Sequence, residues 1–524
     1  MLPDNLVYTC SAITLDMTKM TIGELLMPRI SLVLPLLALG FVATLASAQS
    51  NDSDASDVKF TTLHSFSGTE GKQPGAGLVQ AANGDFYGTT LRGGANCAAN
   101  AFCGTIFRIN PSGVLTTVYN FCAQSGSGDG IYPNGLIQAT NRDLYGTTVL
   151  GGANCAVSLG CGTVFRITPS GVLTTLYRFC TQAGCPDGSS PNGTLVQAAN
   201  GDLYGTTAAG GASNHGTVFK ITPSGTLTTL YSFCSQAGCA DGSDAVVGLV
   251  QGANGDLYGG TAVGGAGTYC LGGSGGCGTL FKITPAGALT TLHSFCSQSG
   301  CPDGTDPSAG LIATSGNLYG TATFGGANGH GTIFKMTPNG TLTTLYSFCS
   351  QPSCSDGFSP MGVLQATSGN LYGLSVSGGT FYGTIFKITP SGTLTTLYSF
   401  CSEPGCTDGA NPTGMLQATN GLLYGTANSG GANGSGTIFS LSTGQAPFIE
   451  TRPASGEVGK TVTILGYKLT GATSVTFNGT PAAFTVESAT QIATTVPTGA
   501  TTGKVEVICT SRAPSARPAE RWRG

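Results

Sequence analysis

Residues 194–233 read TLVQAANGDLYGTTAAGGASNHGTVFKITPSGTLTTLYSF, and this stretch decides the fold. It divides into four short strands separated by turn chemistry. Leu195–Ala198 is the first. Asn200-Gly201 follows, a pair that accepts the positive φ a tight hairpin turn demands. Asp202–Thr207 is the second strand, and a Gly-Gly loop leads to the third, Gly216–Thr222. Pro223-Ser224-Gly225 turns the chain again into the fourth, Thr226–Phe233. The strand positions are β-branched or aromatic, the side chains that suit a half-buried pleated surface.

The same unit recurs along the chain. Its Tyr-Gly step appears at Tyr87, Tyr145, Tyr204, Tyr258, Tyr319, Tyr372 and Tyr424. Four antiparallel strands repeated every 50 to 60 or so residues match the blade of a β-propeller. The ends of the array set the topology. It begins with an isolated fourth-strand motif, FTTLHSF at 60–66, and ends on a third strand, Gly436–Leu441. The last unit therefore lacks its outer strand, and Phe60–Phe66 can supply it. That would remove the open edges an unclosed array exposes. An open solenoid is the competing architecture, but it would start and end on whole, capped repeats. The expectation is all-β: a seven-bladed β-propeller over 58–442, closed by its N-terminal strand, followed by an immunoglobulin-like β-sandwich.

The repeated words, L-x-x-A-x-[ND]-G-x-L-Y-G-T-[TA], GGA, and G-T-[VI]-F-K-I-T-P-S-G-x-L-T-T-L-Y-S-F, resemble the GloVer tandem repeat of exported bacterial proteins. The resemblance covers roughly 60–441. It implies export and carries no defined activity. Residues 446–509 break the pattern and resemble an IPT/TIG immunoglobulin-like domain, on Pro453, Gly456, Gly459, Val462, Ile464, Gly466, Val475, Phe477, Asn478-Gly479, Phe484, Ile492, Val496-Pro497 and Gly503. Such a domain implies a spacer or adhesion module. A final strand should follow Val507; instead an Arg/Pro-rich tail occupies 510–524, so the sandwich is expected to be incomplete.

Composition agrees with an exported β protein. Of 524 residues, 83 are Gly and only 9% are charged, with a net charge of −4. No basic patch argues for nucleic acid and no acidic tract for a basic partner. Arg29, the apolar run Ile30–Leu45 and Ala46-Ser47-Ala48 have the layout of a signal peptide. Residues 1–48 are read as presequence and signal, with cleavage after Ala48 and Met27 as an alternative start. Left uncleaved, Ile30–Ala48 would be a membrane anchor.

Sixteen of the 19 cysteines fall into close pairs. Five share one spacing: Cys180/Cys185, Cys234/Cys239, Cys296/Cys301, Cys349/Cys354 and Cys401/Cys406. The others are Cys97/Cys103, Cys155/Cys161 and Cys270/Cys277. Where a pair is missing, both members tend to be missing, as expected if each pair is one disulfide in an oxidising compartment. Zinc is the competing reading, but it takes four ligands and these come in twos.

With antiparallel strands, the loops between second and third strands share one face with the loops between units. All the cysteine pairs, His215 and His330 lie on that face, the expected binding surface, since variable loops on a rigid scaffold carry function. An acid followed by Gly recurs there: Glu70, Asp129, Asp187, Asp241, Asp303, Asp356 and Asp408. These acids either ring the channel mouth to hold a polar ligand or cap their own turns; turn capping is preferred. On the opposite face Asp85, Asp143, Asp202 and Asp256 should pair with Arg108, Arg166, Lys220 and Lys282. His64 and His293 take a slot that is Tyr in most fourth strands and read as structural.

No catalytic residue, metal or cofactor is expected, because nearly equivalent units offer no unlike groups at one point. The function expected is a secreted or cell-surface binding or adhesion scaffold, monomeric, for an extracellular glycan or protein. The alternatives are a polysaccharide lyase or glycosidase working on the cysteine face, and a structural surface or matrix protein.

Overall fold

The computed structural model describes the backbone of residues 7–10 and the chain from 58 to 510, apart from 98–101, 153–160, 199, 268–276, 308–309, 315 and 454–455. The signal segment, the C-terminal tail, Cys155 and Cys270 lie outside the described residues. The described chain is all β, with only single 3-10 turns besides, and its strands form small antiparallel sheets. No helix among the described residues is long and apolar enough to cross a membrane.

Seven sheets come from the repeats, and we number them in chain order. Sheet 3, for example, runs from Ser189–Pro191 and Val196–Gln197 through Leu203–Ala209 and Thr217–Ile221 to Leu227–Ser232. Sheet 7 is composite. Its strands Ala410–Gln417, Leu423–Ser429 and Thr437–Ser442 take Lys59–Ser65 as their fourth. Phe60 pairs with Leu441 and Ser65 with Thr437, and the Phe66 N–H donates to the Gly436 carbonyl at 3.0 Å.

The repeated words have steric causes. In each sheet the Gly of Tyr-Gly lies directly across from the Phe of G-T-x-F: Gly88 opposite Phe107, Gly205 opposite Phe219, Gly425 opposite Phe439. A Cβ on Gly205 would lie 2.6 Å from Phe219 Cζ. The glycine exists to seat the ring. Those phenylalanines are fully buried and each packs against the fourth-strand Phe of the sheet before, edge-on in Phe179–Phe219 and Phe66–Phe107 and tilted in Phe233–Phe281. The core is thus a series of similar clusters between adjacent sheets.

The first strands of neighbouring sheets converge, and side-chain amides tie them together. The Gln138 amide oxygen accepts from the Ala82 N–H at 2.9 Å, and Gln197 from Thr140 at 2.9 Å. The same bond joins sheet 7 to sheet 1: the Thr419 N–H donates to Gln80 Oε1 at 3.0 Å. Gly414 and Gly77 meet closely at the same junction.

The first strand departs from expectation. Val196–Gln197 is only its second half, and Ser189–Pro191 pairs with the same partner strand upstream. In sheets 2, 6 and 7 the two halves are continuous, for example Ile131–Gln138 with an irregular register. A proline inside the strand disguised it, because proline donates no ladder bond and reads as a turn.

Residues past 446 form two further sheets. One holds Glu450–Arg452, Thr461–Leu465, Gln491–Thr495 and Phe484–Ser488; the other holds Ala472–Phe477, Thr480–Pro481 and Val505–Thr510, with Val7–Cys10 on its edge. A common core of Val462, Ile464, Val475, Phe477, Ile492 and Val507 lies between them. The strand Val505–Thr510 carries on past Val507, where the sequence had suggested that the sandwich stops. This module leans on the hairpin-turn side of the repeats. Arg452 donates to the Gln80 carbonyl at 3.0 Å and to Gln138 Oε1 at 3.2 Å, and Arg142 pairs with Glu487 at 3.0 Å.

Candidate functional site

One residue in each repeat sheet opens the first strand in the left-handed conformation. They are Gln73, Tyr132, Ser190, Asp244, Asp306, Ser359 and Asn411, with φ between 53° and 63°. None is glycine, and each such residue costs on the order of 1–3 kcal/mol. The surroundings hold them there. Each N–H donates to a carbonyl of the preceding sheet, that of the residue just before its Gly-Thr step: Tyr132 to Cys103 at 3.2 Å, Asp244 to His215 at 3.0 Å, Asn411 to Tyr382 at 2.8 Å, and Gln73 to Ser435 at 2.8 Å. In six of the seven the next residue is proline, and its Cδ closes on the glycine of that step, as Pro133 does on Gly104 and Pro74 on Gly436. Seven polar or aromatic side chains are so placed at the start of the converging first strands, all half-buried.

Two of the seven are acids on adjacent sheets. Burial pushes the Asp244 carboxyl up from its ordinary range. Burial, and then the negative charge of Asp244, push Asp306 up to about 6. Asp244 and Asp306 thus stand on adjacent sheets, and the charge of the first adds to the burial of the second.

The recurring acids lie elsewhere. Each accepts bonds within its own sheet from the fourth strand and the loop after it. Asp129 accepts from the Tyr119 hydroxyl at 3.0 Å and the Ala123 N–H at 3.0 Å. Asp187 does so from Tyr177 at 2.9 Å, Asp356 from Tyr346 at 2.8 Å and Asp408 from Tyr398 at 2.7 Å. Asp241 accepts from Tyr231, the Ser235 N–H and the Ser235 hydroxyl. Burial opposes its ionisation, but these bonds outweigh it and lower its pKa. In two sheets a histidine replaces the tyrosine: His293 meets Asp303 at 2.8 Å and His64 meets Glu70 at 3.3 Å. Bonds from Ser67 and Thr69 overcome burial and hold Glu70 at about 2. These seven acids occupy seven separate turns. On the opposite face Asp85–Arg108, Asp143–Arg166, Asp202–Lys220 and Asp256–Lys282 stand 3.7–3.8 Å apart.

His215 and His330 are exposed, each beside the cysteine pair of its own sheet. All five evenly spaced pairs are disulfides. Cys161 and Cys277 are also disulfide-bonded, though the partners expected for them, Cys155 and Cys270, lie outside the described residues. The Cys97/Cys103 pairing needs correction: Cys103 bonds Cys122. The position that holds the second cysteine of the evenly spaced pairs is Ser127 in sheet 1. Cys122 therefore turns to the thiol stacked above it, at the mouth of the third strand.

The set of left-handed residues was missed in the sequence. Its signal was the step Gln-Pro, Tyr-Pro, Ser-Pro, Asp-Pro, Ser-Pro and Asn-Pro, placed two or three residues after the recurring acid-Gly.

No curated protein matches the chain. Among solved structures it resembles a protein described as a gluconolactonase (14% identity, 75% of this chain and 94% of the other, TM-score 0.37). It also resembles a glucose dehydrogenase-type oxidoreductase of Thermus thermophilus (13%, 74% and 100%, 0.38) and a 6-phosphogluconolactonase-type protein of Bacteroides uniformis (15%, 61% and 82%, 0.38). At these scores the likeness bears on neither chemistry nor ligand. The IPT/TIG domain model matches residues 449–516. The Gloeobacter/Verrucomicrobia repeat model matches residues 52–271 and 266–480, most of the chain, and the protein belongs to that repeat family.

Proposed function

We propose that this is an exported, non-catalytic binding scaffold: a closed seven-bladed propeller that takes a polar extracellular ligand, a glycan by preference, at the mouth of its ring. The observation that carries this reading is the set of seven non-glycine residues held left-handed at the start of the first strands. Backbone strain of this kind persists only where the surroundings enforce it, and it concentrates at functional sites. The sandwich leans on the hairpin-turn side through Arg452 and Glu487, so the mouth stays open to a ligand. The disulfides agree with an oxidising compartment. Closure is supported by Lys59–Ser65 completing sheet 7 and by the Thr419–Gln80 bond.

Glycan and protein arrays probed with the purified chain test the reading. Binding should fall at least tenfold in Asp244→Asn/Asp306→Asn. A second reading rests on that same pair: burial raises both carboxyls, Asp306 to about 6, and glycoside chemistry works through a pair of carboxyl groups. Silence on both arrays together with turnover of a polysaccharide would replace the scaffold by this enzyme.

A further inference from the structure

Among the described residues the repeats expose six large apolar side chains. Val114 and Val172 lie in turns on the hairpin-turn side. The other four, Phe324, Met361, Phe381 and Tyr382, all belong to sheets 5 and 6 and lie toward the cysteine face. Phe381 is the costly member. The residue two before the Gly-Thr step is Asn214, Gly329 and Gly434 in sheets 3, 5 and 7, left-handed with φ of 59°, 79° and 66°. Sheet 6 keeps that conformation, at φ 82°, but places a phenylalanine in it. Asparagine and glycine adopt it readily, whereas a bulky side chain is strained by it. Phe381 is also 78% exposed, so packing within the chain offsets little of the strain. Its neighbours adjoin the candidate site. The Tyr382 carbonyl holds the Asn411 N–H at 2.8 Å. The Thr323 N–H donates to the Asp306 carbonyl at 3.0 Å and the Phe324 N–H to the Thr305 carbonyl at 3.2 Å, so Phe324 stands one residue from the partner of Asp306. Met361 follows Ser359 and Pro360 at the start of the first strand.

We propose that sheets 5 and 6 carry the sugar platform of the binding site, where a neutral glycan stacks its pyranose faces on Phe324, Phe381 and Tyr382 and turns its hydroxyls toward Asp244 and Asp306. The platform rests on the glycan reading above and narrows it to one sector and one charge class. Exposed aromatic rings beside carboxyls suit a molecule that is apolar on its face and polar at its edge. A pyranose has that form, with axial C–H groups on the face and hydroxyls around it. The centre of a protein–protein interface is, by contrast, depleted of charged residues. The two aspartates, on a chain of net charge −4, disfavour uronate or sulfated glycans, because like charges brought together weaken association. Strain and exposure at Phe381 then have a common cause: the ring is held out for a ligand, and the repeat's own glycine would hold out nothing.

The test is calorimetric titration of the full chain with cellohexaose, xylohexaose and mannohexaose, with polygalacturonate as the anionic control. Phe381→Gly installs the residue that sheets 5 and 7 carry at this position. It should raise the melting temperature by relieving the strained φ, and yet weaken binding of the neutral oligosaccharide about tenfold, the worth of one stacking contact. Tyr382→Ala should weaken binding likewise, whereas Val172→Ala, on the opposite face, should leave it unchanged. Neutral glycan bound with unaltered affinity by Phe381→Gly and Tyr382→Ala would overturn the platform and leave the glycan reading standing. A wild type that bound none of the three would overturn both, and a protein-array signal lost in Phe381→Gly would then assign the surface to a protein. Tighter binding of polygalacturonate than of the neutral sugars would overturn the charge class. A Phe381→Gly chain that melted lower would mean that the ring serves the fold, and would overturn the platform as well.

Discussion

Asp306 shows how a single residue couples the candidate site to stability. Its carboxyl ionises at about 6 in the folded chain against 3.8 for an ordinary aspartate. Between those values the folded state binds more protons than the unfolded one. The destabilising contribution is therefore absent below about pH 3.8, grows across the window and is complete above about pH 6. Asp306→Asn should raise the melting temperature at pH 8 by about 2 °C, and the gain should vanish by pH 4. Thermal melts at the two pH values decide it. A variant that melts lower at pH 8 would mean that the carboxylate is stabilised by its neighbours.

At the scale of the element, glycine and phenylalanine act as one unit across two strands. Gly205→Ala drives a methyl group to 2.6 Å from Phe219 Cζ and should cost about 1–3 kcal/mol, as overpacking of a filled core does. Urea unfolding would show the loss, and Phe219→Leu in the same chain should recover part of it. The loops around the strands are tied just as specifically. The Cys103–Cys122 bond spans 19 residues, whereas the evenly spaced pairs span 5. Loop entropy then assigns about 3 kcal/mol to the former and about 2 to the latter. Cys122→Ser should therefore destabilise more than Cys406→Ser, and peptide mapping of the oxidised protein should recover Cys103 joined to Cys122. A Cys97–Cys103 peptide in its place would refute that assignment.

At the scale of the whole molecule, Lys59–Ser65 is a strand far in sequence from the sheet it completes. Beyond its ladder with Thr437–Ser442, Phe60 stacks on Tyr398 with ring centroids 3.9 Å apart, and Phe66 packs on Phe107. That one segment touches sheets 1, 6 and 7. Deleting residues 59–66 should lower the melting temperature of the entire repeat region in a single transition, measured by calorimetry. A chain that melted unchanged would mean that the array does not depend on closure. The Thr419–Gln80 bond sits at the same seam, so Gln80→Ala should weaken it in the same direction and by less.

The sequence by itself determined the repeat, the strand order within each sheet, and the strand that completes the last one. Those depend on local chemistry: turn pairs set the hairpins, and a glycine opposite a phenylalanine is a cross-strand neighbour whatever surrounds it. The backbone N–H bonds to Asp129 and Asp241, from residues six positions back, follow from an Asp-Gly turn in the same way, whereas the tyrosine hydroxyl ten positions back was not legible. The set of left-handed residues was not legible. Serine, tyrosine and aspartate before proline read as ordinary extended or turn residues. What holds them at positive φ is a carbonyl supplied by the preceding sheet. The Cys103–Cys122 bond escaped for a similar reason. Cys103 and Cys122, 19 residues apart, meet only when the loop before the third strand stacks on the loop after the fourth. Contacts between sheets therefore made the candidate site, whereas the strand order within each sheet followed from local turns.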